Sequence, residues 1–299
     1  MHRQFAIDWK RGVLSAAVLL GLTGPVYAVS GVIEINQARA KAGGVTPADT
    51  PLFPVTISQP GSYRLTGNLD VTDAAARPSG RAAENTTAIL VDAPFVTIDL
   101  NGFHIQGPVY CSGSPLTCSP AGVGRGIDGS KWGVTITNGS VHGMGGDGVV
   151  AWQVEKVLAG NNGGDGIRAQ TAIGCMAQAN GRVGIWVKTV TGCTAIANRV
   201  GGIEATTVSS STAESNGGIG IRAKTVTGCT AIANGDRGIE ATTVSSSTAG
   251  DNCASCVSGI HGIFGETVTG CQASNNGGAP QIHAAGITGQ NICNGVACP

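Results

Sequence analysis

Two interleaved series of side chains carry most of the chemistry this chain is able to offer. One reads Val150, Arg168, Trp186, Glu204, Arg222 and Glu240 at a spacing of 18 residues, and after a longer interval it reaches Phe264. The other runs two positions later and reads Trp152, Gln170, Lys188, Thr206, Lys224 and Thr242, then Glu266. Indole and phenyl faces stack on the apolar faces of sugar rings, while Arg and Lys hold carboxylates or hydroxyls. Trp152, Trp186, Arg168, Lys188, Arg222, Lys224 and Phe264 are therefore the candidate carbohydrate-binding residues. If the same surface is catalytic, Asp128, Arg168, Lys188 and Glu204 are the groups to carry the reaction. Glu204 and Glu240 lie two repeats apart, at a separation of about 9.6 Å if the repeats stack as strands, which suits an inverting carboxylate pair without demonstrating one. The alternating signs of Arg168, Glu204, Arg222 and Glu240 equally make a solvated ion-pair ladder, and Trp has a plain preference for sheet surfaces.

These residues need an element that repeats them in register, and the glycines define it. Gly148, Gly166, Gly184, Gly202, Gly220 and Gly238 fall at a fixed interval of 18, each followed by Val or Ile. Counting from each glycine, the fourteenth position is Asn in all six repeats, Asn162 to Asn252, and the eleventh is Ala, Ala159 to Ala249. A locked period of this kind is the mark of a stacked solenoid whose equivalent positions form ladders. Alternation along strands places the first, third, sixth, ninth and eleventh positions inward and the second and fourth outward. The Asn series fits a turn that tolerates the left-handed backbone and hydrogen-bonds to the next coil. Lys188–Ala213 and Lys224–Ala249 differ only where Arg199-Val200-Gly201 faces Gly235-Asp236-Arg237, which reads as a copied block.

A hexapeptide helix requires an aliphatic residue at the seventh position, where Thr and Ser recur instead. A calcium-binding nonapeptide roll requires one at the tenth, where Thr194, Thr212, Thr230 and Thr248 stand. The reading that remains is an all-β, right-handed parallel β-helix with 18-residue coils and a short N-terminal capping helix. At Phe95-Val96-Thr97-Ile98-Asp99-Leu100-Asn101-Gly102-Phe103-His104-Ile105, echoed by Gly133-Val134-Thr135-Ile136-Thr137-Asn138-Gly139, the chain resembles the right-handed parallel β-helix repeat proteins of the pectin-lyase-like superfamily. The likeness covers most of the chain and implies the fold. It implies function only broadly, because the superfamily holds lyases, hydrolases, epimerases, adhesins and many uncharacterised members. Its hydrolases combine aspartates with a Gly-His-Gly and an Arg-x-Lys element and its epimerases carry Asp-Pro-His-Asp; the Gly-His-Gly and Asp-Pro-His-Asp strings do not occur here. Its lyases use a carboxylate-bound calcium. Calcium is accordingly the one cofactor to consider, at Asp147 and Asp165, although Val183 stands where a third carboxylate is needed.

Composition bounds the partners. The chain has 48 Gly in 299 residues, 12% charged residues and a formal net charge of zero, with no basic run, which argues against nucleic acid. Arg3, Lys10 and Arg11 precede the apolar run Gly12–Gly21, and Val26-Tyr27-Ala28 offers a small-x-small cleavage site. Residues 1–28 thus read as a signal peptide, 29–60 as an N-terminal cap with a helix over Val32–Ala42, 61–290 as the β-helix and 291–299 as a tail. Export follows, to the periplasm, the cell surface or the medium, with no membrane-spanning segment after cleavage. Ten cysteines then divide by spacing. Cys111 with Cys118, Cys253 with Cys256 and Cys293 with Cys298 are local disulfide candidates. Cys175, Cys193, Cys229 and Cys271 occupy the inward ninth position as small hydrophobes. His104, His142, His261 and His283 are scattered along the chain, and no Ser/His/Asp triad or phosphate-cradling loop is apparent. The expected function is a non-catalytic, monomeric β-helix binding a polysaccharide or cell-surface glycan. The alternative is a polysaccharide lyase or glycoside hydrolase whose site lies near the 106–131 loop.

Overall fold

A computed structural model describes residues 31–253, 261–277 and 281–298. The expected signal peptide at 1–28 and Cys256 lie outside the described residues. Each regular coil contributes three short strands, as in Ile167–Arg168, Thr171–Ile173 and Met176–Gln178. Each pairs in parallel with its equivalent one coil later, giving Ile167↔Ile185, Ala172↔Val190 and Ala177↔Ala195. The chain is therefore a parallel β-helix, and the 18-residue period is its coil length. Ile167, Ala172, Cys175 and Ala177 all face inward and are buried, so the core is a narrow stack of Ile, Val, Ala and Cys. Among the described residues, the antiparallel pairs are Tyr110–Ser112 with Thr117–Ser119, and Ile292–Cys293 with Val296–Ala297.

The two most regular positions of the repeat explain each other. Asn162, Asn180, Asn198, Asn216, Asn234 and Asn252 are buried; Asn162 accepts from Met144 N–H, and from Asn180 onward each side chain accepts from the backbone N–H and the side-chain amide of its predecessor. Asn198 also donates from Nδ2 to the carbonyl of Ala177 at 3.1 Å, so both ends of its amide are satisfied inside the core. The ladder continues to Asn276, where the Gln281 side chain accepts from the last Asn. A β-carbon on Gly202 would lie 2.7 Å from Asn216 Nδ2 and 2.6 Å from the carbonyl of Gly220. Glycine recurs there because the Asn ladder leaves no room for a side chain, and its backbone angle is ordinary. The left-handed turn expected at the Asn instead falls one residue earlier, at Asn161, Ala179, Ala197, Ser215, Ala233 and Asp251, with φ between 52° and 56°. A second left-handed turn falls before the ninth position, at Lys156, Gly174, Gly192, Ser210, Gly228 and Ser246.

The inward cysteines make a shorter ladder. Cys175 N–H points at Cys193 Sγ at 3.3 Å, while Cys193 and Cys229 donate to Ser211 Oγ and Ser247 Oγ at 3.1 Å. Cys175, Cys193, Cys229 and Cys271 are buried free thiols. Two of the expected disulfides are present, Cys111–Cys118 and Cys293–Cys298.

The N-terminal end departs from the sequence reading. Ile33–Ile35 is a strand rather than the start of a helix, and it pairs in parallel with Tyr63–Leu65 as part of the first coil. The helix is shorter, Gln37–Ala42, with the Asn36 side chain accepting from Arg39 N–H as its N-cap. Its buried residue is Ala40, whereas Ala38 and Ala42 are exposed. Asn36 ends the strand because its side chain competes for helical amides, as a good N-cap does. The edge of Val55–Ile57 is closed by side chains: Asp49 Oδ1 accepts from Thr56 N–H at 2.7 Å, and Thr46 Oγ1 accepts from Ser58 N–H at 3.1 Å.

Candidate functional site

The second and fourth positions of each coil form neighbouring outward columns, as expected. Backbone pairing runs Asp128↔Val150↔Arg168↔Trp186↔Glu204↔Arg222↔Glu240↔Phe264↔His283 along the first column. Between the columns lies a groove of about 500 Å³ lined by Arg168, Gln170, Trp186, Lys188, Glu204 and Thr206, with Ser130 and Val150 at one end. Arg168, Lys188 and Glu204 of the candidate catalytic set meet here together with Trp186 of the binding set. Asp128 does not line it; its carboxylate accepts from Arg125 at 3.0 Å.

Charges around the groove are unevenly paired. The Arg168 guanidinium lies over the Trp186 ring at 4.3 Å and reaches Asp147 at 3.5 Å and Asp165 at 3.7 Å. The expected ion-pair ladder therefore breaks at its first step, because Arg168 turns toward these two carboxylates and leaves Glu204. Arg222 pairs with Glu240 at 3.4 Å, and Arg237 also reaches Glu240. Among the described residues, Glu204, Lys188 and Lys224 have no ion-pair partner. Arg222 lines a smaller recess of about 200 Å³ with Glu204 and Asp236.

Asp147 and Asp165 stack on adjacent coils, both buried. Asp147 Oδ1 accepts from Asp165 N–H at 2.9 Å, and Asp165 Oδ1 accepts from Val183 N–H at 3.0 Å. Arg125, Arg168 and Arg182 supply the positive charge around them. Burial, with the charge of Asp147 adding to it, pushes the Asp165 carboxyl above its usual range. No group of three or more His, Cys, Asp or Glu side chains gathers among the described residues, so a calcium ion here would have two carboxylates already committed to amides and guanidinium groups.

Sequence reasoning missed an aromatic corner beside the groove. Trp152 packs edge-on against Trp132 at 5.7 Å, and Trp132 packs against Phe95 at 5.0 Å. Phe95 is 59% exposed, Trp132 58% and Trp152 38%. Phe95 holds a left-handed backbone with φ of 54°, rare for a bulky residue, and Gly133 gives its ring room. Trp152 joins this corner to the groove, since Gln170 N–H donates to its carbonyl and Lys188 N–H to that of Gln170. Phe95 and Trp132 precede the regular repeats, so spacing alone gave no signal for them. Phe264, by contrast, lies three coils beyond Glu204, between the Arg237 guanidinium at 4.6 Å and the ring of His283 at 5.2 Å. The expected cleft wall, 106–131, packs elsewhere: its disulfide-closed hairpin sits against Asn161, Asn162 and Gly181, and only its end at Ser130 reaches the groove.

The histidines are not scattered in space. His104 and His142 approach with ring centroids at 5.2 Å, and His261 and His283 stack at 4.9 Å. Burial, with the charge of His104 adding to it, holds His142 below the ordinary imidazole range. An Arg-x-Lys string does occur at Arg222-Ala223-Lys224, without Gly-His-Gly anywhere in the sequence.

No protein-family model matches the sequence, and no curated protein matches it. A solved structure that resembles the chain is the A-module of a mannuronan C-5 epimerase from Azotobacter vinelandii, at 13% identity and a TM-score of 0.42, covering 79% of this chain and 87% of that one. A likeness that distant carries nothing about activity.

Proposed function

We propose that this protein is an exported, non-catalytic β-helix that binds a polysaccharide along the face formed by the aromatic corner and the groove. The observation that carries the reading is Phe95, Trp132, Trp152 and Trp186 standing exposed on one contiguous surface next to unpaired Lys188. Large aromatic rings rarely stay in water without a partner, and sugar rings offer the apolar faces they match. The two disulfides agree with folding in an oxidising compartment, and the basic then apolar N-terminal segment agrees with export. We place no nucleic acid and no membrane among its partners, and read it as a monomer.

Affinity electrophoresis through gels containing acidic and neutral polysaccharides tests this directly. Retardation is expected, and Trp152→Ala combined with Trp186→Ala is expected to weaken it at least tenfold with unchanged far-UV circular dichroism. Equal retardation of the double variant would remove the aromatic face from the account. A carbohydrate-active enzyme is the second reading, favoured by Glu204 and Lys188 lying unpaired in one groove. Its signature is new reducing ends or unsaturated uronate absorbance, abolished by Glu204→Gln.

A further inference from the structure

We propose that His104 and His142 form a binding site for a first-row divalent cation of the Zn²⁺, Ni²⁺ and Cu²⁺ class, on a sheet distinct from the groove. The two residues come from adjacent coils. His104 opens the strand His104–Gln106, and His142 ends the strand Thr135–His142. Pairing places Ser140 opposite His104 and His142 opposite Gln106, while Ile105 and Val141 between them point into the core. The four outward side chains make a two-by-two patch with the imidazoles on one diagonal.

The diagonal has the right span. With metal–nitrogen bonds of about 2.05 Å and a ring centroid about 1.15 Å behind each nitrogen, two imidazoles on one tetrahedral ion have centroids about 5.2 Å apart. The observed separation is 5.2 Å, with the rings tilted by 43°. His261 and His283 make a useful contrast: their rings stack within 18° of parallel at 4.9 Å, an arrangement that sets the rings face to face rather than converging on one ion.

The surroundings leave room for the remaining ligands. Gln106 and Ser140 supply oxygens at the other two corners of the patch. Gly160 stacks over His142 in the next coil. Neither packing nor backbone requires a glycine there, since a β-carbon would meet nothing closer than 3.4 Å and φ is not positive. Gly160 is itself buried, so water reaches the patch through the half-buried His104, Gln106, Ser140 and His142. The nearest carboxylate in the pairing scheme, Asp70 beside Gln106, is already held by Thr72 N–H and Oγ1. An imidazole pair with water and amide oxygen suits Zn²⁺, Ni²⁺ or Cu²⁺ and disfavours Ca²⁺ and Mg²⁺.

Isothermal titration of the untagged chain with ZnCl₂ tests the site. One Zn²⁺ per chain is expected, with Cu²⁺ tighter in competition. His104→Ala and His142→Ala should each weaken Zn²⁺ binding at least tenfold, whereas the pair His261→Ala with His283→Ala should leave it unchanged. In the unsubstituted protein, substoichiometric Cu²⁺ should broaden the imidazole C–H signals of two histidines selectively, a reading that needs no variant to fold. Absence of saturable Zn²⁺ binding, equal binding by either single variant, or broadening centred on other histidines would overturn the proposal.

Discussion

The recurrent glycines look identical in sequence and do two different jobs, and single substitutions separate them. Gly202 lies against Asn216 Nδ2 and the carbonyl of Gly220, so Gly202→Ala overpacks the core and is expected to cost about 3 kcal/mol. Gly192 has φ of 62° and open space where its side chain would go. Gly192→Ala should therefore cost only about 1 kcal/mol, from the left-handed backbone alone. Asparagine tells the two apart: it tolerates the left-handed turn and should restore stability at 192, while at 202 it is larger than Ala and should be worse. Urea midpoints at constant m measure all four variants. This distinction was only half legible in the sequence. The period exposed the series Gly148 to Gly238 and the Asn ladder, but it missed the glycines of the second turn and assigned the left-handed turn to the Asn, one residue late. A one-residue offset between a buried amide and an exposed turn has no compositional signal, because Asn serves both roles well.

At the scale of elements, the ends of the solenoid were read less well than its middle. Equivalent coils fix each other's register, so any regular coil is legible from its neighbours. The first coil has a neighbour on one side only, and its strand Ile33–Ile35 carries no repeat signature; Ile33 and Ile35 before Asn36 look like the start of a helix. The side chains closing the first edge, Thr46 and Asp49, looked like ordinary loop residues. Asp49 is buried and accepts from both Val45 N–H and Thr56 N–H. Asp49→Ala leaves both amides without an acceptor and should cost about 2–6 kcal/mol, at roughly 1–3 kcal/mol for each orphaned group. Hydrogen exchange should show the loss first at Thr56, with the coils beyond Gly126 keeping their protection. Uniform loss along the whole chain would mean that this edge is not a separate unit. The candidate site divides the same way. The columns through Arg168, Trp186, Lys188 and Glu204 were visible as a period, whereas Phe95 and Trp132 come from irregular coils and join Trp152 only once the chain is stacked.

For the molecule as a whole, the copied block makes length itself a variable. Coils pair only with their neighbours, and each ladder accepts its own continuation. Removing residues 188–223 joins Val187 to Lys224 and deletes two 18-residue coils without changing phase. Cys175 N–H then meets Cys229 in place of Cys193, and Asn180 meets Asn234 in place of Asn198. Trp186 remains, with Lys224 and Glu240 standing where Lys188 and Glu204 stood, so the groove should be rebuilt from the second copy, except that Arg237 still pairs with Glu240 where Glu204 stood unpaired. The shortened protein is expected to fold, to unfold in one transition with m lower by about an eighth, and to keep its polysaccharide retention within about twofold. Retention that survives this deletion but fails in Trp186→Ala would tie binding to the local groove. Retention that falls in step with coil number would instead make the ligand contact the full length of the face, with each copied coil adding to it.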